Sequence, residues 1–185
     1  MNIKKYIKEC YELAKEKGFY PDDSKIEDHL MGIVSELGEA YEAHRGGNIA
    51  SEKGLAFSID QILENFNLPI HIDYYIKYFK DSSEDEIADV FIRLFNLCGW
   101  LGIENVELKN IESMKRKDIS MLLLSITHLC SDMAFSENKQ DIRYITMPLE
   151  MLIFYCKDNN IPIEKHIQAK HEFNKTREHL HGKQY

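Results

Sequence analysis

The segment 83–101, "SEDEIADVFIRLFNLCGWL", constrains the fold more than any other part of the chain. On a helical wheel at about 100° per residue, Ile87, Val90, Phe91, Ile92, Leu94, Phe95, Leu97, Trp100 and Leu101 point in nearly every direction. A helix that is apolar all round is buried, so other helices must surround it. Yet it carries Glu86 and Asp89, and Asp89 shares its side with Ile92, Asn96 and Trp100. A buried carboxylate costs several kcal/mol unless it is paired or coordinates a metal. Arg93, one turn on, offers an i,i+4 partner; a metal ion is the alternative.

The surrounding helices are legible by their spacing. Ile3, Tyr6, Ile7, Cys10, Leu13 and Ala14 recur at helical intervals, and Gly18 ends that helix. "YPDDS" is a turn. A long helix from about Ile26 carries Leu30, Ile33, Val34, Leu37, Tyr41 and His44 on one stripe and stops at Gly46-Gly47. Residues 48–80 form a less regular insert with helical pieces around 55–66 and 72–79. Ser83 is expected to cap the next helix, with Glu86 completing a capping box. Further helices are expected at 105–117, 118–136, 140–158 and 162–179, with a break or late start at Pro148. No alternating strand pattern of useful length appears. The expected fold class is all-α, of four-helix-bundle type, in one domain over 1–185.

A faint internal repeat accompanies this pattern. Residues 96–117 resemble 153–177, and Ile33 aligns with Ile126. The offsets differ by about the length of the insert. This gives a first half, 1–117, with an insertion at 48–80, and a degenerate half, 118–185. At the second half's motif positions stand Leu129, Asp132, Tyr144 and Met147, so that half is expected to lack a metal site.

Charge and composition exclude several classes. The chain has a net charge of −8, which argues against a nucleic-acid partner, because phosphate contacts need a basic face. No apolar run reaches the roughly 18 residues of a membrane span. The N-terminal segment is amphipathic and charged, without the apolar core of a signal peptide. Cys10, Cys98, Cys130 and Cys156 are far apart, with no C-x-x-C pair. They read as free buried thiols in a cytoplasmic protein, not as a zinc site.

Glu36, Glu39 and Glu42 fall opposite the apolar stripe of their helix, so the wheel alone makes them a solvated face. Glu86 and Asp89 alter that reading. Two neighbouring helices, each with carboxylates at i,i+3, can pool four acids. Like charges that close need a counter-ion. Mg²⁺ supplies it, prefers oxygen ligands and shares its remaining positions with substrate phosphates; Mn²⁺ is a substitute. On the last helix, Lys170, Asn174 and Arg177 share one face, with Lys175 nearby. They read either as a clamp on a triphosphate or as an exposed basic helix end. A di-iron bundle needs E-x-x-H on two helices, and only Glu178–His181 fits.

"SELGEAYEAHRGG" followed by "EDEIADVFIRLFNLCGWLGI" resembles the MazG-like all-α nucleoside triphosphate pyrophosphohydrolases, a superfamily that includes dimeric dUTPases and phosphoribosyl-ATP pyrophosphatases. The family's E-x-x-E and E-x-x-D match Glu36, Glu39, Glu86 and Asp89. The ending "KHEFNKTREHLHGKQY" resembles a C-terminal segment in which Lys, Asn and Arg face the nucleotide. The long gap between the two acidic motifs departs from the compact members. The resemblance implies Mg²⁺ held by Glu36, Glu39, Glu86 and Asp89, with Glu36 and Glu39 as the catalytic glutamates. It implies substrate contacts from Lys170, Asn174, Lys175 and Arg177, and conversion of an NTP or dNTP to the monophosphate and pyrophosphate. A homodimer is expected for such a bundle, unless tandem halves already complete one site. The competing expectation is a non-catalytic helical module that binds a nucleotide or a protein.

Overall fold

The computed structural model describes residues 1–21, 23–50, 58–109 and 118–182. Its helices are α1 (Ile3–Glu16), α2 (Ile26–Arg45), α3 (Ile59–Glu64), α4 (Pro69–Tyr78), α5 (Ser83–Trp100), α6 (Ile119–Phe135), α7 (Arg143–Asp158) and α8 (Ile163–Thr176). A short 3-10 turn, His179–Gly182, follows α8. No strand occurs among the described residues, so the fold is all-α.

The apolar-all-round helix is central. α5 packs against α1, α2, α7 and α8, and Ile87, Val90, Phe91, Phe95 and Leu97 are fully enclosed. α2 lies between α5 and α6. This second neighbour explains why the single-stripe wheel failed on α2. Glu36 and Ala40 are buried beside Ile33 and Leu37, whereas Tyr41 and His44 are exposed. The insert helices make a smaller core of their own. Ile59, Ile62, Phe66, Tyr75 and Phe79 pack on Ala169 and Phe173 of α8.

Several boundaries differ from expectation. Ser82, not Ser83, caps α5: its side chain accepts from the Asp85 N–H at 3.3 Å. Glu86 therefore has no capping role. The segment 103–109 is not helical. Val106 is buried in the core there, and the Lys109 N–H donates to the Glu150 carboxylate. The remainder of that expected helix, with Lys115 and Lys117, lies outside the described residues, as do Lys183 and Tyr185. α7 starts five residues before Pro148 and runs through it without a break. The buried face of Ile145, Leu149 and Leu152 holds the helix across the missing donor.

α5 and α7 both end with a left-handed residue, Gly102 and Asn160. The next N–H bonds back five residues, Ile103 to Cys98 and Ile161 to Cys156, each at 2.8 Å. α1 and α2 end the same way, so this geometry does not by itself mark a repeat. Leu129, Tyr144 and Met147 pack against the core, and Asp132 faces His128 at 3.5 Å.

Candidate functional site

Two helices bring the acids together. α2 and α5 run antiparallel: His29, early in α2, contacts Trp100 at the end of α5, while Glu36 meets Arg93. This crossing puts Glu36 opposite Glu86 and Asp89. One carboxylate oxygen from each lies within 4.8 Å of the others. Glu36 and Glu86 are 6% and 3% exposed, and Asp89 is half-buried. Two like charges about 5 Å apart at an effective dielectric near 20 repel by roughly 3 kcal/mol. Burial pushes the Glu86 carboxyl up to about 8, with Asp89, Asp85 and Glu36 adding to the rise. Glu36 is also raised, first by burial and then by Asp89.

Two cations answer these acids, and neither arrangement was legible in the sequence. Arg93 does not pair with Asp89 across one turn. It reaches α2 and donates to Glu36 from Nε at 3.0 Å and from an Nη at 2.9 Å. Asp89 instead meets Lys170 of α8 at 2.8 Å. The same ammonium lies 2.6 Å from Asp85, a fully buried carboxylate that played no part in the motif. Asp85 also accepts from the Tyr75 hydroxyl and, at 3.1 Å, from the Asp81 N–H. The insert thus reaches the site through Tyr75, and its small core against α8 sets the position of Lys170. Desolvation opposes the Lys170 charge, but Asp89 and Asp85 outweigh it and hold its pKa above the usual range.

Glu36, Asp85, Glu86 and Asp89 are four carboxylates, while Lys170 and Arg93 are two cations. Fully ionised, these four would outnumber the two cations by two; a Glu86 carboxyl raised to about 8 keeps its proton near neutral pH in place of a further cation. Glu86 has no hydrogen bond or ion pair of its own among the described residues. Three hard oxygen donors, one of them without a hydrogen bond or ion pair among the described residues, could hold a hard divalent cation such as Mg²⁺ or Mn²⁺.

The acids open onto a cleft of about 240 Å³. α1, α2, α5 and α8 line it, together with Lys80 and Asp81 at the end of the insert and His181 after α8. Of the expected residues, Glu36, Glu39, Glu86, Asp89, Lys170, Asn174 and Arg177 all border it. Glu39 is exposed and lies outside the close triad; it accepts from the Ser35 hydroxyl at 3.4 Å. Lys175 does not reach the cleft. Five residues from Lys170 is about 140° around the helix, and its ammonium pairs with Glu172 at 2.6 Å on another face. Glu42 is an exposed partner of Arg45 at 2.7 Å.

The chain after α8 is tied back to α1. Leu180 N–H donates to the Lys17 carbonyl at 2.7 Å, and Lys17 Nζ donates to the carbonyls of Lys175 and Arg177 at 2.7 and 2.6 Å. Gly18 makes the approach feasible: a Cβ there would lie 2.0 Å from His179 Nε2. This return brings Lys17, Arg177 and His181 to the cleft wall. No local signal in the sequence marks this docking.

Comparison with protein-family models, with curated proteins and with solved structures found no match to this chain. The MazG-like resemblance therefore rests on the motif residues alone. No described helix is long and apolar enough to cross a membrane.

Proposed function

We propose that the chain is a Mg²⁺-dependent nucleoside triphosphate pyrophosphohydrolase of MazG-like type, converting an NTP or dNTP to the monophosphate and pyrophosphate. The observation that carries the reading is the triad of Glu36, Glu86 and Asp89, with one carboxylate oxygen of each within 4.8 Å of the others, at the wall of a cleft bordered by cations. Those three residues would hold the metal. Bound there, Mg²⁺ supplies charge neutralisation for the phosphates and acidifies a coordinated water.

The chain's own groups divide the remaining work. Glu39, at the mouth and outside the triad, is placed to orient a water and accept its proton as the new bond to the α-phosphorus forms. The α–β anhydride bond breaks in the same displacement, and pyrophosphate leaves. Lys170, Arg177 and Lys80 border the space for the phosphates, where fixed cations stabilise charge developing on the leaving group. The arrangement of Lys170 between Asp85 and Asp89 keeps that cation in register before substrate arrives.

The test is pyrophosphate release from a panel of NTPs and dNTPs with Mg²⁺ or Mn²⁺. Release from at least one substrate, lost in Asp89→Asn, is expected. No release from any nucleotide, together with no Mg²⁺-dependent thermal shift, would refute the proposal.

A further inference from the structure

The insert carries a hydroxyl into a small core that is otherwise apolar. Tyr75 on α4 is fully buried, and its ring packs among Phe66, Phe79 and Phe173. Three phenylalanines already stand there, and a fourth would bury as much apolar surface as the tyrosine does. A buried hydroxyl costs free energy unless it is hydrogen-bonded, so its presence calls for a partner. That partner is Asp85 of α5, which is itself fully buried. Burial, and after it the Asp85 charge, hold the hydroxyl's pKa well above the usual tyrosine range, so it stays protonated and donates.

Asp85 is gripped on both oxygens. Oδ1 accepts from Tyr75, while Oδ2 accepts from Lys170 Nζ at 2.6 Å and from the Asp81 N–H at 3.1 Å. Asp81 presents that N–H from a left-handed backbone, φ 60°, in the turn that joins the insert to α5. Such a conformation in a non-glycine residue persists where its surroundings fix it. Two contacts from the insert thus converge on one carboxylate. Without the hydroxyl, the remaining bonds all fall on Oδ2, and nothing on the Oδ1 side opposes rotation of the carboxylate about χ2. Lys170 depends on that orientation. A lysine head is a point charge on a flexible stem and has no fixed geometry of its own. Asp85 and Asp89, one turn apart on α5, supply it from 2.6 and 2.8 Å.

We infer that Tyr75 is a positioning residue for the reaction: through Asp85 it holds the Lys170 ammonium beside Asp89 at the wall of the cleft. Its effect on rate rests on the pyrophosphohydrolase reading, whereas its hold on Lys170 is a property of the chain alone. The insert fixes Lys170 twice. Its core packs on Ala169 and Phe173, which flank Lys170 on α8, and so places the backbone. Its Tyr75 hydroxyl then orients the carboxylate that receives the ammonium. The insert is therefore a working part of the site and not an appendage to the bundle. Partners that orient the groups around a metal site change activity by about 10–100-fold when they are removed, without touching substrate.

Nuclear magnetic resonance and steady-state kinetics on the whole chain test this. In the metal-free wild type at low temperature, one tyrosine hydroxyl proton and one lysine ammonium should exchange with water slowly enough to be seen. The first should vanish in Tyr75→Phe and the second in Lys170→Met. Tyr75→Phe keeps the ring and removes the donor. It should speed exchange of the Lys170 ammonium by about tenfold or more, the factor that a hydrogen bond to a charged group is worth. In pyrophosphate release with Mg²⁺ it should lower kcat by about tenfold and leave KM within about twofold. Added to Lys170→Met, it should cost no further rate, because a residue that acts through Lys170 then has nothing to position; a general packing defect would lower the rate again. Absence of the slow hydroxyl proton in the wild type overturns the inference and needs no variant to fold. Unchanged Lys170 exchange in Tyr75→Phe overturns it too, as does a kcat loss in the Lys170→Met background as large as in the wild type. If both protons behave as expected and no nucleotide yields pyrophosphate, the hydrolase reading falls and the hold of Tyr75 on Lys170 stands. If pyrophosphate is released and Tyr75→Phe matches the wild type throughout, the reading stands and the inference falls.

Discussion

Lys170→Met takes away the ammonium that contacts both Asp85 and Asp89, at 2.6 and 2.8 Å. The methionine keeps the length of the stem, so the change is chiefly electrostatic. The site is left with Glu36, Asp85, Glu86 and Asp89 against Arg93 alone. Asp85 is fully buried and retains only neutral donors, the Tyr75 hydroxyl and the Asp81 N–H. Removing one partner of a buried pair costs about 3–5 kcal/mol. Protonation of a carboxyl absorbs part of the strain, which places the expected loss near 3 kcal/mol. Urea unfolding near neutral pH with a chelator present measures it. Asp85→Asn and the double variant complete a cycle, in which a coupling of about 1.5 kcal/mol or more is expected, because each single change strands the other charge. Mg²⁺ should then stabilise Lys170→Met more than it stabilises the wild type, since the deficit it fills is larger. A loss below about 1 kcal/mol with no coupling would show that Lys170 is not the internal counter-ion of this site.

Mg²⁺ at a hundredfold excess over its dissociation constant should stabilise the fold by about 2.7 kcal/mol, and Glu86→Gln or Asp89→Asn should abolish that gain in a thermal-shift titration. His29 and His166 are buried neutral, their pKa values lowered by desolvation from 6.5 to about 4. Between those values the unfolded chain binds protons that the folded chain does not, so stability is full above the unfolded pKa. It falls as pH drops through the window, by up to about 1.4 kcal/mol per pH unit for each histidine. Glu86, raised to about 8, contributes with the opposite sign in that range, so the slope is read as the difference in urea midpoints between the wild type and His166→Phe. Burial pushes the thiols of Cys10, Cys98 and Cys130 up to about 12 and raises Cys156 as well. An aromatic disulfide reagent should therefore label none of the four in the native state and all four in denaturant.

The sequence alone determined the fold class, because helical periodicity and an apolar-all-round segment are local properties that survive any arrangement of neighbours. It also singled out Asp89, since a charge on such a helix needs a partner wherever that helix packs. It could not choose the partner. Arg93 stood one turn away and was the obvious candidate, yet the crossing of α2 and α5 gives Arg93 to Glu36 and leaves Asp89 to Lys170. Periodicity on a single helix likewise assigned Glu36 to solvent, because a wheel counts one buried face, whereas α2 is covered on two sides by α5 and α6. Asp85 and Tyr75 had no motif to announce them. Their significance arises from burial and from groups many residues away, including an insert helix whose aromatic core sets the height of Lys170 on α8. Local spacing fixed which residues share a face. Tertiary packing decided which faces meet, and hence which charges compensate one another.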